Sequence, residues 1–137
     1  MIKRRKRERF GTRQETRIRC PAHLAWVRGH VCAIQDRHAV FDMSDGSRLA
    51  DTAPHVCSGR MEAAHVRIGT DGALNIKPSD CWTIPLCSKA HIPLQHQAGE
   101  REFELRYGID MKAIAAQLWA SSPHRRKYEK RIRERRA

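Results

Sequence analysis

Between Cys57 and His96 the chain gathers side chains that can hold a metal ion or move a proton: Cys57, the run Arg60-Met-Glu-Ala-Ala-His65, a loop over residues 69–80, and Pro85-Leu-Cys87-Ser-Lys-Ala-His91-Ile-Pro-Leu-Gln-His96. A lone cysteine or histidine says little, because free thiols and hydrogen-bonded imidazoles are common in cores. Grouping carries the weight. Cys32, Cys57, Cys87 and His91 would offer three thiolates and an imidazole, the donor set of a tetrahedral zinc site. Cys20, His23 and Cys81 stay open as substitutes, Cys20-Pro-Ala-His23 having a tight ligand spacing of its own. His65 and His96 bring chemistry of a second kind. An imidazole that titrates near neutrality can take a proton from water, and a cation opposite it can neutralise charge on an anionic substrate.

Positioning these groups requires particular elements. Residues 61–68 alternate as a strand, which sets His65 on the face opposite Glu62 and Ala64. His55-Val-Cys57-Ser-Gly59 has the form of a tight turn, and residues 82–84 form a second short strand that Pro85 ends. Ser88 offers an N-cap for a helix running toward His96, with Pro93 tolerated in the first turn only. A regular α-helix would leave the His91 and His96 rings about 140° apart, and an irregular turn at Pro93 would bring them together. Upstream, residues 24–27 read as a short helix or turn leading to a strand at 30–34, and residues 41–54 as a loop or insertion. Downstream, residues 100–107 read as a helix stopped by Gly108. Asp110 caps a further helix whose face of Met111, Ile114, Ala115 and Leu118 is core packing and requires no cofactor.

Charge divides the chain differently. Its net charge is +12, but residues 1–19 carry nine Lys/Arg against two Glu and residues 121–137 carry eight against two, so the stretch between is close to neutral. Basic ends on a neutral domain attract polyanions through counterion release, which points to nucleic acid. A membrane surface fits less well, because neither end has a broad apolar face with aromatic anchors. No run approaches the roughly 18 apolar residues of a membrane span, and the N-terminus lacks the apolar stretch of a signal peptide. The expected location is the cytoplasm, where five cysteines are thiols or metal ligands rather than disulfides.

Taken in order, Glu62-Ala-Ala-His65-Val-Arg, a glycine-containing loop ending Lys77-Pro-Ser-Asp80, Ile84-Pro-Leu-Cys87, and a histidine-rich segment with His96-Gln-Ala-Gly99-Glu100 resemble the HNH or His-Me finger nucleases. The resemblance is strongest to the phage and prophage branch that includes the Ref recombination-enhancement nucleases, and it covers about residues 30–110. It implies an α+β fold: a small zinc-stabilised ββα-metal core with additional C-terminal helices. The organisation would be a basic arm at 1–19, a nuclease domain at 20–120 and a basic tail or helix at 121–137, the tail turning helical on a partner. The activity implied is hydrolysis of DNA phosphodiester bonds with one catalytic divalent cation, magnesium or another, besides the structural zinc. Carried over residue by residue, His65 falls on the general base, Asp80 near the central Asn or Asp, and His91 and His96 in the helix that supplies metal ligands.

Two departures from the family pattern matter. Ala64 stands where many members place a metal-ligating Asp or His, unless Asp80 or Glu62 replaces it. Adjacent histidines are also common after the Pro-Leu-Cys element, and here Ile92 follows His91. His91 is therefore claimed by both metals, and one imidazole cannot readily serve both. These departures keep a rival open: a catalytically inactive, zinc-stabilised nucleic-acid-binding protein of the same fold. A third reading is an accessory factor whose tails contact a recombination-protein partner.

Overall fold

The structure is a computed structural model that describes residues 17–72 and 76–136. The basic arm expected at 1–19 thus lies outside the described residues as far as residue 16. Pro21 opens helix α1 (Pro21–Arg28), where its missing N–H costs nothing, and His23 and Val27 turn one face inward. No strand follows at 30–34. The Ala33 N–H makes a single bond to the Pro85 carbonyl (2.8 Å), and Asp36, in the left-handed region at φ 58°, then turns the chain away.

Residues expected to form a loop make a small hairpin instead, β1 (Val40–Asp42) against β2 (Arg48–Ala50), antiparallel with Phe41 opposite Leu49. The Asp, Ser and Gly residues that argued for a loop build its turn. Asp45 Oδ1 accepts from Ser47 N (2.9 Å) and Ser47 Oγ (2.6 Å), and Gly46 supplies φ 84°.

A second antiparallel pair, β3 (Met61–His65) and β4 (Thr83–Cys87), forms the centre of the molecule. Pro85 does not end β4 but sits inside it, opposite Ala63. The flanking bonds Ser88 N to Arg60 O and Val66 N to Trp82 O set the parity of the ladder. Pro85 therefore occupies a non-hydrogen-bonded position with its nitrogen toward the open edge, where no donor is needed. Every residue of β4 is buried.

After β4 the chain runs into a π-helix (Ala90–His96), then α2 (Glu100–Tyr107), α3 (Met111–Ser121) and α4 (Arg125–Arg136). Gly108 ends α2 in the left-handed conformation at φ 62°, and Asp110 Oδ1 caps α3 by accepting from Ala113 N at 3.0 Å. Ala64, Ile84, Leu86, Phe103, Met111 and Ala115 form the core between the β3–β4 pair and helices α2 and α3. Ile114 packs against that core, while Leu118 stays half-buried. Helix α4 buries none of its residues, and Tyr128 against Trp119 (ring centroids 6.1 Å) and the Arg125–Glu129 pair at 3.0 Å support it. The described residues are α+β, with two two-stranded antiparallel sheets and five helices. Among them, no helix is long and apolar enough to cross a membrane.

Candidate metal centre and histidine face

Cys32, His55, Cys57 and Cys87 bring one ligand atom each to within 4.8 Å of one another. They come from three stretches of chain. Cys32 starts the turn whose Gln35 N–H bonds its carbonyl (3.0 Å), and Cys87 closes β4 just ahead of the helix. His55 and Cys57 sit on the segment leading into β3. Gly59 makes that approach possible: its φ is 80°, and a Cβ there would lie 2.8 Å from Ser88 Cβ. The bond from Lys89 N to Ser58 O (3.3 Å) then lays the turn along the helix start.

The electrostatics of this group suit a bound cation. Burial pushes the Cys57 thiol up to about 12, and the neighbouring Cys32 and Cys87 thiols add to it. At Cys87 burial also pushes upward, but backbone N–H groups of Ser58 and Ala90 outweigh it and hold the thiol below its ordinary value. Crowded thiols of this kind cannot all ionise unless a cation is among them. His55 is lowered, first by burial and then by Lys89, which keeps its imidazole neutral and able to ligate. Its Nε2 lies 3.3 Å from Cys87 Sγ. The donor set, three thiols and a neutral imidazole, can hold a metal ion such as zinc.

The three cysteines grouped from sequence converge, whereas the imidazole that completes the group is His55 and not His91. A signal was present in the two-residue spacing of His55-Val-Cys57, which places two donors on one turn.

His91 belongs elsewhere. Its Nδ1 lies 2.7 Å from Glu62 Oε2, and its ring centroid is 4.8 Å from that of His96. The π-helix brings the two rings together. Pro93 has no N–H to give the Lys89 carbonyl, and its ring crowds that carbonyl, so the turn widens to bonds such as Gln97 N to Ile92 O. Gln95, fully buried in the same turn, sets its Nε2 3.4 Å from the His65 carbonyl and so fastens the π-helix to β3.

His65 pairs with Asp80, Nε2 to Oδ1 at 2.9 Å. The same Oδ1 accepts from Arg17 Nη2 (2.9 Å), and Oδ2 accepts from Cys20 N (2.9 Å). Burial pushes the Asp80 carboxyl upward, but the bonds from His65 and Cys20 outweigh it and hold the group below its ordinary value. Glu62 is likewise held low, by His91 first and Ser88 second. An ionised carboxylate can only accept, so each fixes the tautomer of its imidazole. Asp80 keeps the proton on Nε2 of His65 and leaves Nδ1 as a lone pair, while Glu62 keeps it on Nδ1 of His91 and leaves Nε2 as a lone pair.

Each carboxylate thus bonds a histidine, Asp80 to His65 and Glu62 to His91. Asp80 is only 4% exposed, with Oδ1 bonded to His65 and Arg17 and Oδ2 to Cys20. His96 is lowered by burial of its ring, then by His91 and Arg67, and stays a neutral donor near pH 7. Among the described residues the Cys32, His55, Cys57 and Cys87 group is the one place where three or more candidate ligand atoms share a 4.8 Å radius, so His65, Asp80, His91 and His96 do not form a single such cluster.

Compared with protein-family models, curated proteins and solved structures, the chain matches none.

Proposed function

We propose that the protein is a metal-dependent endonuclease of the HNH type that hydrolyses DNA phosphodiester bonds. One observation carries this reading: an imidazole at the end of β3 has its Nε2 held by a buried carboxylate and its Nδ1 left as a base, next to a helix that presents a second, paired set of histidines. In this reading His65 Nδ1 removes a proton from water, the water oxygen attacks phosphorus, and the bond from phosphorus to the departing sugar oxygen breaks. A divalent cation held by His91 Nε2 and His96 would neutralise charge on the phosphate and the leaving oxygen. Two imidazoles suit manganese or a later transition metal better than magnesium, which prefers oxygen donors. The order hairpin, then helix, supports a ββα-metal arrangement, with zinc at Cys32, His55, Cys57 and Cys87 as its structural brace. The basic segments at both ends supply phosphate contacts without sequence preference.

Ala64, and the lack among the described residues of a cluster of three ligand atoms that includes His91 and His96, favour a second reading, an inactive nucleic-acid-binding protein of the same fold. Plasmid nicking with added magnesium or manganese separates the two. Under the nuclease reading, His65→Ala slows nicking by about 100-fold or more, the usual contribution of a general base. No cleavage with any divalent metal, or equal cleavage by His65→Ala, sinks it.

A further inference from the structure

The described chain begins with a short strap, residues 17–20, that lies along residues 78–80. Arg17 Nε donates to the Pro78 carbonyl at 2.7 Å, and its Nη2 donates to Asp80 Oδ1 at 2.9 Å. Ile18 N donates to Ser79 Oγ, Asp80 N donates to the Ile18 carbonyl, and Cys20 N donates to Asp80 Oδ2, each at 2.9 Å. The side chains of Arg17 and Asp80 are 9% and 5% exposed, so water does little to screen the pair.

Arg17 and His65 meet on the same carboxylate oxygen. A bare carboxylate beside an imidazole favours the imidazolium, which would fill the lone pair that a base requires. A guanidinium on that oxygen cancels much of the negative charge and still leaves room for the Nε2–H bond, because a carboxylate oxygen accepts more than one donor. Its planar fork also spans Asp80 and the Pro78 carbonyl, which fixes the carboxylate in orientation. The other charged or titratable groups packed around this pair include His23 on α1, which feels the Asp80 charge, Cys20 and Cys81 beside Asp80, Asp71, which accepts from Ser79 N, Glu62 and Arg67 on the β3 segment with Glu100 on the Arg67 N–H, and His91 and His96 on the π-helix.

We propose that Arg17 is a positioning residue for the base: it fixes Asp80 and offsets its charge, so that Asp80 orients His65 and leaves Nδ1 free to take a proton. This deepens the nuclease reading and rests on it. It also ties the root of the basic N-terminal segment to the catalytic histidine.

The test uses the full chain as parent, Arg17→Met and Arg17→Lys. Nicking is followed as kcat and KM against pH with manganese, and the His65 ring is titrated separately by NMR. Arg17→Met should lower kcat about tenfold or more with KM changed less than about twofold, as expected for a misplaced base rather than a lost DNA contact. Its acidic limb and its His65 titration should both move up by about one pH unit, the usual scale for removing one neighbouring charge. Arg17→Lys, which keeps the charge but not the fork, should leave the titration near that of the parent and recover part of kcat.

An unchanged kcat and titration in Arg17→Met, or a loss confined to KM, overturns the proposal. If the parent nicks nothing under any metal, the nuclease reading fails, and the ring titration alone decides Arg17: an upward shift upholds its hold on His65 and no shift refutes it. Should Arg17→Met fail to fold, Arg17→Gln, which keeps an N–H for Pro78 without the charge, takes its place with the same expectations.

Discussion

Three of the five cysteines converge on one histidine, and the histidines divide by what holds them. His55 faces thiols, His65 faces Asp80, His91 faces Glu62, and His23 faces two tryptophans. A metal ion at the Cys32 and His55 group should bind at one zinc per chain by elemental analysis. His55→Ala should weaken it and lower the melting temperature, because the ligand free energy is folding free energy. A metal-free, equally stable parent would contradict this. His23 makes a different prediction. It is fully buried, its Nδ1 meets Ser122 Oγ at 2.9 Å, and its Nε2 has no partner among the described residues. Burial first, then His124, lowers it from 6.5 to about 4. Between those values the native state binds fewer protons than the unfolded chain, so the contribution is complete above pH 6.5 and is lost as pH falls toward 4. His23→Phe should therefore flatten the fall of the urea midpoint between pH 6.5 and 4.5 relative to the parent; parallel curves would show that His23 does not drive it.

At the scale of elements, the caps were readable because they are local. Gly108 and Asp110 set the end of α2 and the start of α3 through neighbours within a few residues. The β1–β2 hairpin and the interior position of Pro85 were not readable, since polar turn residues look alike in loops and hairpins and a proline's edge position depends on pairing register. The π-helix was half readable. Pro93 marked an irregular turn, but only the buried Gln95 beside the His65 carbonyl shows which way it resolves. If the widened turn exists to bring His91 beside His96, deleting Ile92 together with Pro93→Ala should restore an ordinary α-helix with the two rings four residues apart and still adjacent. Manganese affinity measured by calorimetry should then stay within about threefold of the parent, since facing pairs four apart are equally well placed. Loss of binding in that variant would mean that the π geometry itself is required.

Across the whole molecule, contacts distant in sequence were the part hidden from a linear reading. Arg17 and Asp80 lie 63 residues apart, and the ligands from Cys32 to Cys87 span most of the described core. Residue types announced a metal site, and the charge pattern announced basic ends, but partner choice among eight histidines needed the fold. The β1–β2 hairpin shows what this assembly tolerates. It lies in the stretch between two candidate ligands, Cys32 and His55, and its turn at Ser44-Asp45-Gly46-Ser47 is exposed throughout. Phe41 under the Arg106 guanidinium (4.9 Å) moors the base of the hairpin, while Asp45 and Ser47 bond each other at its tip. Extending a loop that is already closed adds only slowly to its entropy, about 0.6 kcal/mol per doubling. The tip is thus a graft site: an epitope peptide inserted between Asp45 and Gly46 should be displayed on the surface with zinc content and melting temperature nearly unchanged, giving a built-in handle for capturing the intact protein with both ends of the chain left free.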